Sequence, residues 1–226
     1  MKITQLPLIF LTIFMFFSAG CGFESDIPLP PISEKTDTEL IQLLDTFRYG
    51  NIEVSEYDFY MVIEEMEKRA ASISEAAPML AKTIAFNGST SVTASHPLIA
   101  MGPSAQSAIP YLLQNLDSPR EDVRRYSIFV LGTIGEPANC SVPIIAPLLW
   151  DTDSYVRSVV AGALTEITNI MLVESELQLL DPTIPGSAAG DGDGNKISRK
   201  AREWWLETGQ FMDWPEQNCV LPETKP

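Results

Sequence analysis

The chain is short of the residues on which most catalytic chemistry depends. It has one histidine, His96, in 226 residues, which excludes any site built from two imidazoles. It has three cysteines, Cys21, Cys140 and Cys219, too few for a dense disulfide scaffold. Positive charge is also scarce, with 15 Lys and Arg against 30 Asp and Glu. A net charge of −15 repels phosphate backbones, so no nucleic-acid partner is expected. There is no G-x-S-x-G elbow, no Walker loop and no dinucleotide fingerprint. With these gaps we expect no enzyme activity, no catalytic residue, no resident metal and no cofactor. Wholesale disorder is excluded in turn, because 45% of the residues are hydrophobic, enough apolar surface to offset chain entropy.

What is present begins at the N-terminus. Lys2 is followed by a run from Leu6 to Phe17 that is apolar except for Pro7 and Thr12, and then by Ser18, Ala19 and Gly20. The run is short for a bilayer core about 30 Å thick, and the layout is that of a secretory signal peptide over residues 1–20. The segment Ser18-Ala19-Gly20-Cys21 resembles the lipobox of bacterial lipoproteins, although that family prefers Leu where Ser18 stands. The resemblance implies cleavage between Gly20 and Cys21 and lipid attachment at Cys21. Removing residues 1–20 takes away one positive charge, Lys2, so the lipid and not the body would bind the membrane. Gly22 follows the cysteine, where lipoproteins of this kind retained at the inner membrane carry Asp. The implied location is the bacterial cell envelope, at the outer membrane where there are two. Residues 21–36 are rich in proline and charge and read as a lipid-anchored tether.

The body, residues 37–173, repeats itself. Gly102, Pro110, Leu116, Val123, Arg124, Leu131 and Ile134 recur as Gly135, Pro143, Leu149, Val156, Arg157, Leu164 and Ile167, each 33 positions on. Each unit holds two patterns of helical period. The first unit has Ala105, Ala108, Ile109, Leu112, Leu113 and Leu116, then Val123, Tyr126, Val130 and Ile134. The second has Val142, Ile145, Ala146 and Leu149, then a turn at Asp151-Thr152-Asp153-Ser154, then Val156, Val159, Val160, Ala163, Leu164 and Ile167. Ile128, Phe129 and Leu131 lie off the main stripe, so the second helices need cover on several sides. Stacked neighbours give that cover in a solenoid.

The run from Leu131-Gly-x-Ile-Gly through the mid-unit proline and the Asp-rich turn to Val156-Arg157 resembles HEAT repeats, of the short bacterial type also found in phycobilin lyases. The strong resemblance spans residues 98–170. An earlier, degraded unit starts at Ala77 and contains Pro97. Upstream, Leu40, Leu43, Leu44 and Phe47, and then Phe59, Val62, Ile63, Met66 and Ala70, form two amphipathic stripes that read as an N-terminal capping pair. Residues 174–196 read as an acidic, Gly-rich loop. Residues 197–226 read as a C-terminal capping helix, starting at Ile197, and a tail. Ala201-Arg-Glu-Trp-Trp205 resembles a terminal helix of bacterial HEAT-repeat proteins, with Trp204 and Trp205 folded onto the last repeat. The fold expected is all-α, an α-solenoid of HEAT-like helix pairs with a cap at each end and no strands.

The resemblance implies a scaffold or adaptor for a protein partner in the envelope. It also leaves two alternatives: a phycobilin-lyase-like or other enzyme on the same scaffold, and a calcium-dependent interaction module. The calcium alternative rests on Asp191, Asp193 and Asn195, three oxygen ligands at alternate positions as at the start of an EF-hand loop. Lys196 stands where that loop needs glycine, and its twelfth position, Arg202, is not an acid, so an acidic loop is the favoured reading. Arg124 and Arg157 recur with the repeat and are expected to meet acidic turn residues. Cys140 and Cys219 are either bonded in an oxidising compartment or free; sequence does not supply their separation.

Overall fold

The computed structural model describes residues 31–49, 56–86, 90–172 and 194–220. The chain divides into two units, Met1–Pro31 and Ile32–Pro226, and all the described helices belong to the second. The predicted signal peptide, most of the tether and nearly all of the Gly-rich loop lie outside the described residues. Among the described residues there are helices and no strands, as the periodicity predicts, and no helix is long and apolar enough to cross a membrane.

The α-helices are α1 (Asp37–Tyr49), α2 (Glu56–Lys68), α3 (Ala77–Ile84), α4 (Thr90–Met101), α5 (Ile109–Gln114), α6 (Glu121–Ile134), α7 (Val142–Ile145), α8 (Ser154–Thr168) and α9 (Gly194–Glu207). A capping box starts α1. The Thr36 amide donates to Glu39 Oε2 at 2.7 Å, and the Glu39 amide donates back to Thr36 Oγ1 at 3.3 Å. The Thr36 amide and the Thr36 hydroxyl, which donates to Glu39 Oε2 at 2.8 Å, hold the Glu39 carboxyl below its ordinary pKa. Arg69, just past α2, reaches back to the start of α1. Its Nη1 donates to Lys35 O at 2.7 Å and Asp37 Oδ1 at 3.1 Å, its Nη2 to Ser33 O at 2.9 Å, and its Nε to Glu65 Oε1 at 2.8 Å.

The first rod of each repeat is not one α-helix. Residues 102–117 run as 3-10, α and 3-10 pieces, and so do residues 136–150. Proline explains the breakage except at Asn115–Asp117, a piece that contains none. Pro103, Pro110, Pro137, Pro143 and Pro147 each sit in the first two positions of a piece, where a missing N–H and a fixed φ are tolerated. Each proline thus starts a new short turn. The second rods, α6 and α8, have no proline and are continuous. Pro97 lies inside α4 without ending it.

The helices form two layers. α2, α4, α6, α8 and α9 make one row, each packed on the next. α1, α3 and the broken rods 102–117 and 136–150 make the other. The predicted stripes fill the space between. Leu40, Leu44, Val62, Met66, Leu80, Ile109, Leu112, Val123, Leu131, Ile134, Val156, Val160 and Leu164 are all buried. Ile128, off the main stripe, is also fully buried, as a helix covered on several sides requires. Burying one such aliphatic chain contributes about 1.5–3 kcal/mol.

Two glycines matter for different reasons. Gly135 ends α6 at φ 72°, ψ −138°, and Gly102 occupies the same repeat position at φ 52°. This is backbone that L side chains rarely adopt. Gly132 is instead a contact point, because a Cβ there would lie 3.0 Å from Ala163 Cα and 3.1 Å from its Cβ. α6 and α8 therefore approach closely across Gly132 and Ala163.

α9 starts at Gly194, three residues earlier than the predicted Ile197. The first turn of a helix makes no intrahelical N–H bonds, so the boundary shifts at little cost. α9 packs on α8 and on residues 146–150, the capping position expected for it.

Candidate interaction site

The recurring arginines take up a structural duty. Arg124 Nη1 donates to Ser118 O at 2.8 Å, and Arg157 Nη1 donates to Asp151 O at 2.8 Å, the same bond one repeat on. Arg124 also grips the next repeat, with Nε to Asp151 Oδ2 at 2.9 Å and Nη2 to Asp151 Oδ1 at 2.8 Å. The pair is nearly enclosed, at 11% and 7% side-chain exposure. Burial pushes the Asp151 carboxyl up, but the Arg124 hydrogen bonds and charge and the Asp153 amide outweigh it, and the net shift is downward. Asp153 caps α8 by accepting from the Val156 amide at 2.9 Å, as the turn predicts. Arg157 Nε is buried without a hydrogen-bond partner among the described residues; the ladder has one full rung. Asn115 makes a second link, donating to Ala81 O at 2.9 Å and Ser127 Oγ at 3.1 Å.

The other sequence candidates are scattered. His96 Nδ1 lies 3.8 Å from Glu67 Oε2, with both side chains partly exposed. Cys21, Gly20, Asp191 and Asp193 lie outside the described residues, and so does the side chain of Asn195. Among the described residues no group of three His, Cys, Asp or Glu is placed to hold a metal. Cys140 and Cys219, which the sequence leaves open, are joined in a disulfide with Cα atoms 5.8 Å apart.

That bond, with Asn218 Nδ2 donating to Pro137 O at 3.3 Å, ties the tail to the last repeat. The tail is braced on α9 by rings. Trp204 lies edge-on to Trp214 at 6.4 Å between centroids and 6.2 Å from Trp205. Trp214 Nε1 donates to Gly209 O at 3.0 Å. Gly209 is buried beneath the rings, where a Cβ would come within 2.8 Å of Trp204 and Trp205.

Tied in this way, the tail walls one side of a cleft of about 480 Å³. Glu136 and Asn139, from the turn after α6, form a second side. Residues 166–170, the end of α8 and its cap, form the third, and Met212 and Trp214 come from the tail. The volume lies in the range of about 300–1,000 Å³ usual for ligand clefts. None of the lining residues is basic. Glu136 and Glu166 are exposed, and among the described residues neither has an ion-pair partner. Sequence reasoning missed this site, because its three sides come from separate segments. The available signals were Glu136 directly after the Gly135 turn and Trp214 in a tail with a cysteine.

The family model described as HEAT repeats matches residues 109–183, from the first broken rod past the end of α8. No curated protein and no solved structure matches the chain. HEAT repeats generally serve as scaffolds for protein–protein interaction. Paired rods stacked at a 33-residue period, the Gly135 stop of α6, the Asp-capped Val-Arg start of α8 and this family match agree: the chain carries HEAT repeats, recognised across residues 109–183.

Proposed function

We propose that this protein is a non-catalytic docking scaffold of the bacterial cell envelope, held to a membrane, the outer one in a two-membrane cell, by lipid on Cys21. The observation that carries the reading is an open, partly apolar cleft on a HEAT-repeat body. Stacked repeats present side chains on a continuous surface, and a surface anchor raises the local concentration of a weak binder. Two further features support the location. The Cys140–Cys219 bond suits an oxidising compartment. The apolar run before Ser18-Ala19-Gly20-Cys21 suits export and lipidation.

Crosslinking in intact membranes, with mass spectrometry of the captured neighbours, tests the scaffold. The expected result is a reproducible envelope protein linked to the repeats or the tail; an uncrosslinked chain across several chemistries overturns it. Metabolic labelling with palmitate tests the anchor separately. The wild-type chain should take label and Cys21→Ser should not. A mature chain with an unmodified Cys21 thiol removes the tether.

A further inference from the structure

We propose that the cleft between the α6 turn, the end of α8 and the tail is a receptor for a cationic side chain, lysine or arginine, carried on an apolar-flanked segment of a protein partner. The inference rests on the scaffold reading and names the chemistry of its partner.

Charge is the first argument. Glu136 and Glu166 face the cleft from different segments, no lining residue is basic, and among the described residues neither carboxylate is paired. One helix end adds to this. α8 stops at Thr168 within the lining. The last carbonyls of a helix have no intrahelical partners and carry partial negative charge, which favours cations. An anionic ligand meets the same groups as repulsion.

Shape and polarity narrow the ligand from any cation to a side chain. Met212 is 42% exposed and Ile170 36% exposed, and both line the cleft. With Trp214 they offer an apolar wall suited to the methylene stem of Lys or Arg. The Trp214 ring adds an aromatic surface to which a cation is attracted. Its indole N–H is already committed to Gly209 O, so the ring is held and loses little freedom on binding. A small hydrated metal ion uses none of this apolar surface.

The test uses the oxidised full chain and a synthetic nonapeptide with one central lysine between two leucines, followed by calorimetry and tryptophan fluorescence. Two comparison peptides replace that lysine by acetyl-lysine or by glutamate. The expected result is saturable binding of the lysine peptide only. It should weaken about tenfold or more in the double variant Glu136→Gln, Glu166→Gln, and weaken at high salt. Glu121→Gln, exposed at the start of α6, should leave binding unchanged. All three are surface changes that keep the fold. Equal binding of the acetyl-lysine or glutamate peptide, an unaffected double variant, or no saturable binding at millimolar peptide overturns the proposal. If membrane crosslinks capture a partner whose contacts all fall outside residues 136–139, 166–170 and 212–214, the cationic receptor fails and the scaffold stands. If no partner is captured but the lysine peptide binds, the scaffold fails and the receptor stands.

Discussion

At the scale of single residues, the rung between Arg124 and Asp151 decides most. Removing one member of a buried pair leaves the other charged and unpaired, at a cost of about 3–5 kcal/mol. Arg124→Ala should therefore lower the unfolding free energy measured in urea by that much, and Asp151→Leu alone by a similar amount. The double variant Arg124→Met, Asp151→Leu should recover part of the loss, since an apolar pair leaves no orphan charge. The same rung gives the fold an acid limb. The Asp151 carboxyl is held below its usual value of 3.8 in the folded state. Its contribution is thus present above that value and is lost as pH falls through the lower, folded one. Urea titrations from pH 5 downward should show wild-type stability falling below about pH 4, and Asp151→Asn should flatten that fall. The identity of these residues was legible, because both arginines recur at 33 and acidic turns sit nearby. Which aspartate each would meet was not, because that depends on the rise from one repeat to the next.

At the scale of elements, glycine sets how α6 ends and how closely α6 and α8 lie. Gly135→Ala meets no atom within 4 Å, so its cost is conformational alone, about 1–3 kcal/mol. Gly132→Ala gains about 1 kcal/mol of helix propensity but drives a methyl into the Ala163 backbone, and overpacking of this kind costs about 1–3 kcal/mol. Both should unfold at lower denaturant, read by far-UV circular dichroism. Gly132→Ala should be the more sensitive to a further increase in size at the same site. The second helices α6 and α8 were legible from the apolar period, which runs from Val123 to Ile134 and from Val156 to Ile167. The first rods read as helices, yet the broken 3-10 course was not foreseen. Period alone records which side faces inward, whereas each proline decides where the hydrogen-bond pattern restarts.

At the scale of the whole molecule, the tail is held across 79 residues of sequence by one bond. Cross-links closing loops of this size contribute typically about 2–4 kcal/mol. Cys219→Ser should lower the melting temperature and speed proteolysis of the last residues. It should also red-shift tryptophan emission as Trp214 leaves Trp204, while the helical signal of the repeats persists. Thiol titration of the wild-type chain in denaturant without reductant should find neither Cys140 nor Cys219. The architecture could be read in advance because each unit repeats a local pattern. The cleft could not, because it assembles from a turn near 136, a helix end near 168 and a tail near 214, and no spacing rule connects those positions.

The grip of Arg69 on Ser33, Lys35 and Asp37 has a mechanical consequence. Tension entering the body at its first residues meets that one guanidinium before it reaches Leu40 and Leu44. Its hydrogen bonds run back to the neighbouring helix α2 through Glu65. A pull on the leading end is thereby shared between two rods at once instead of peeling the first away alone.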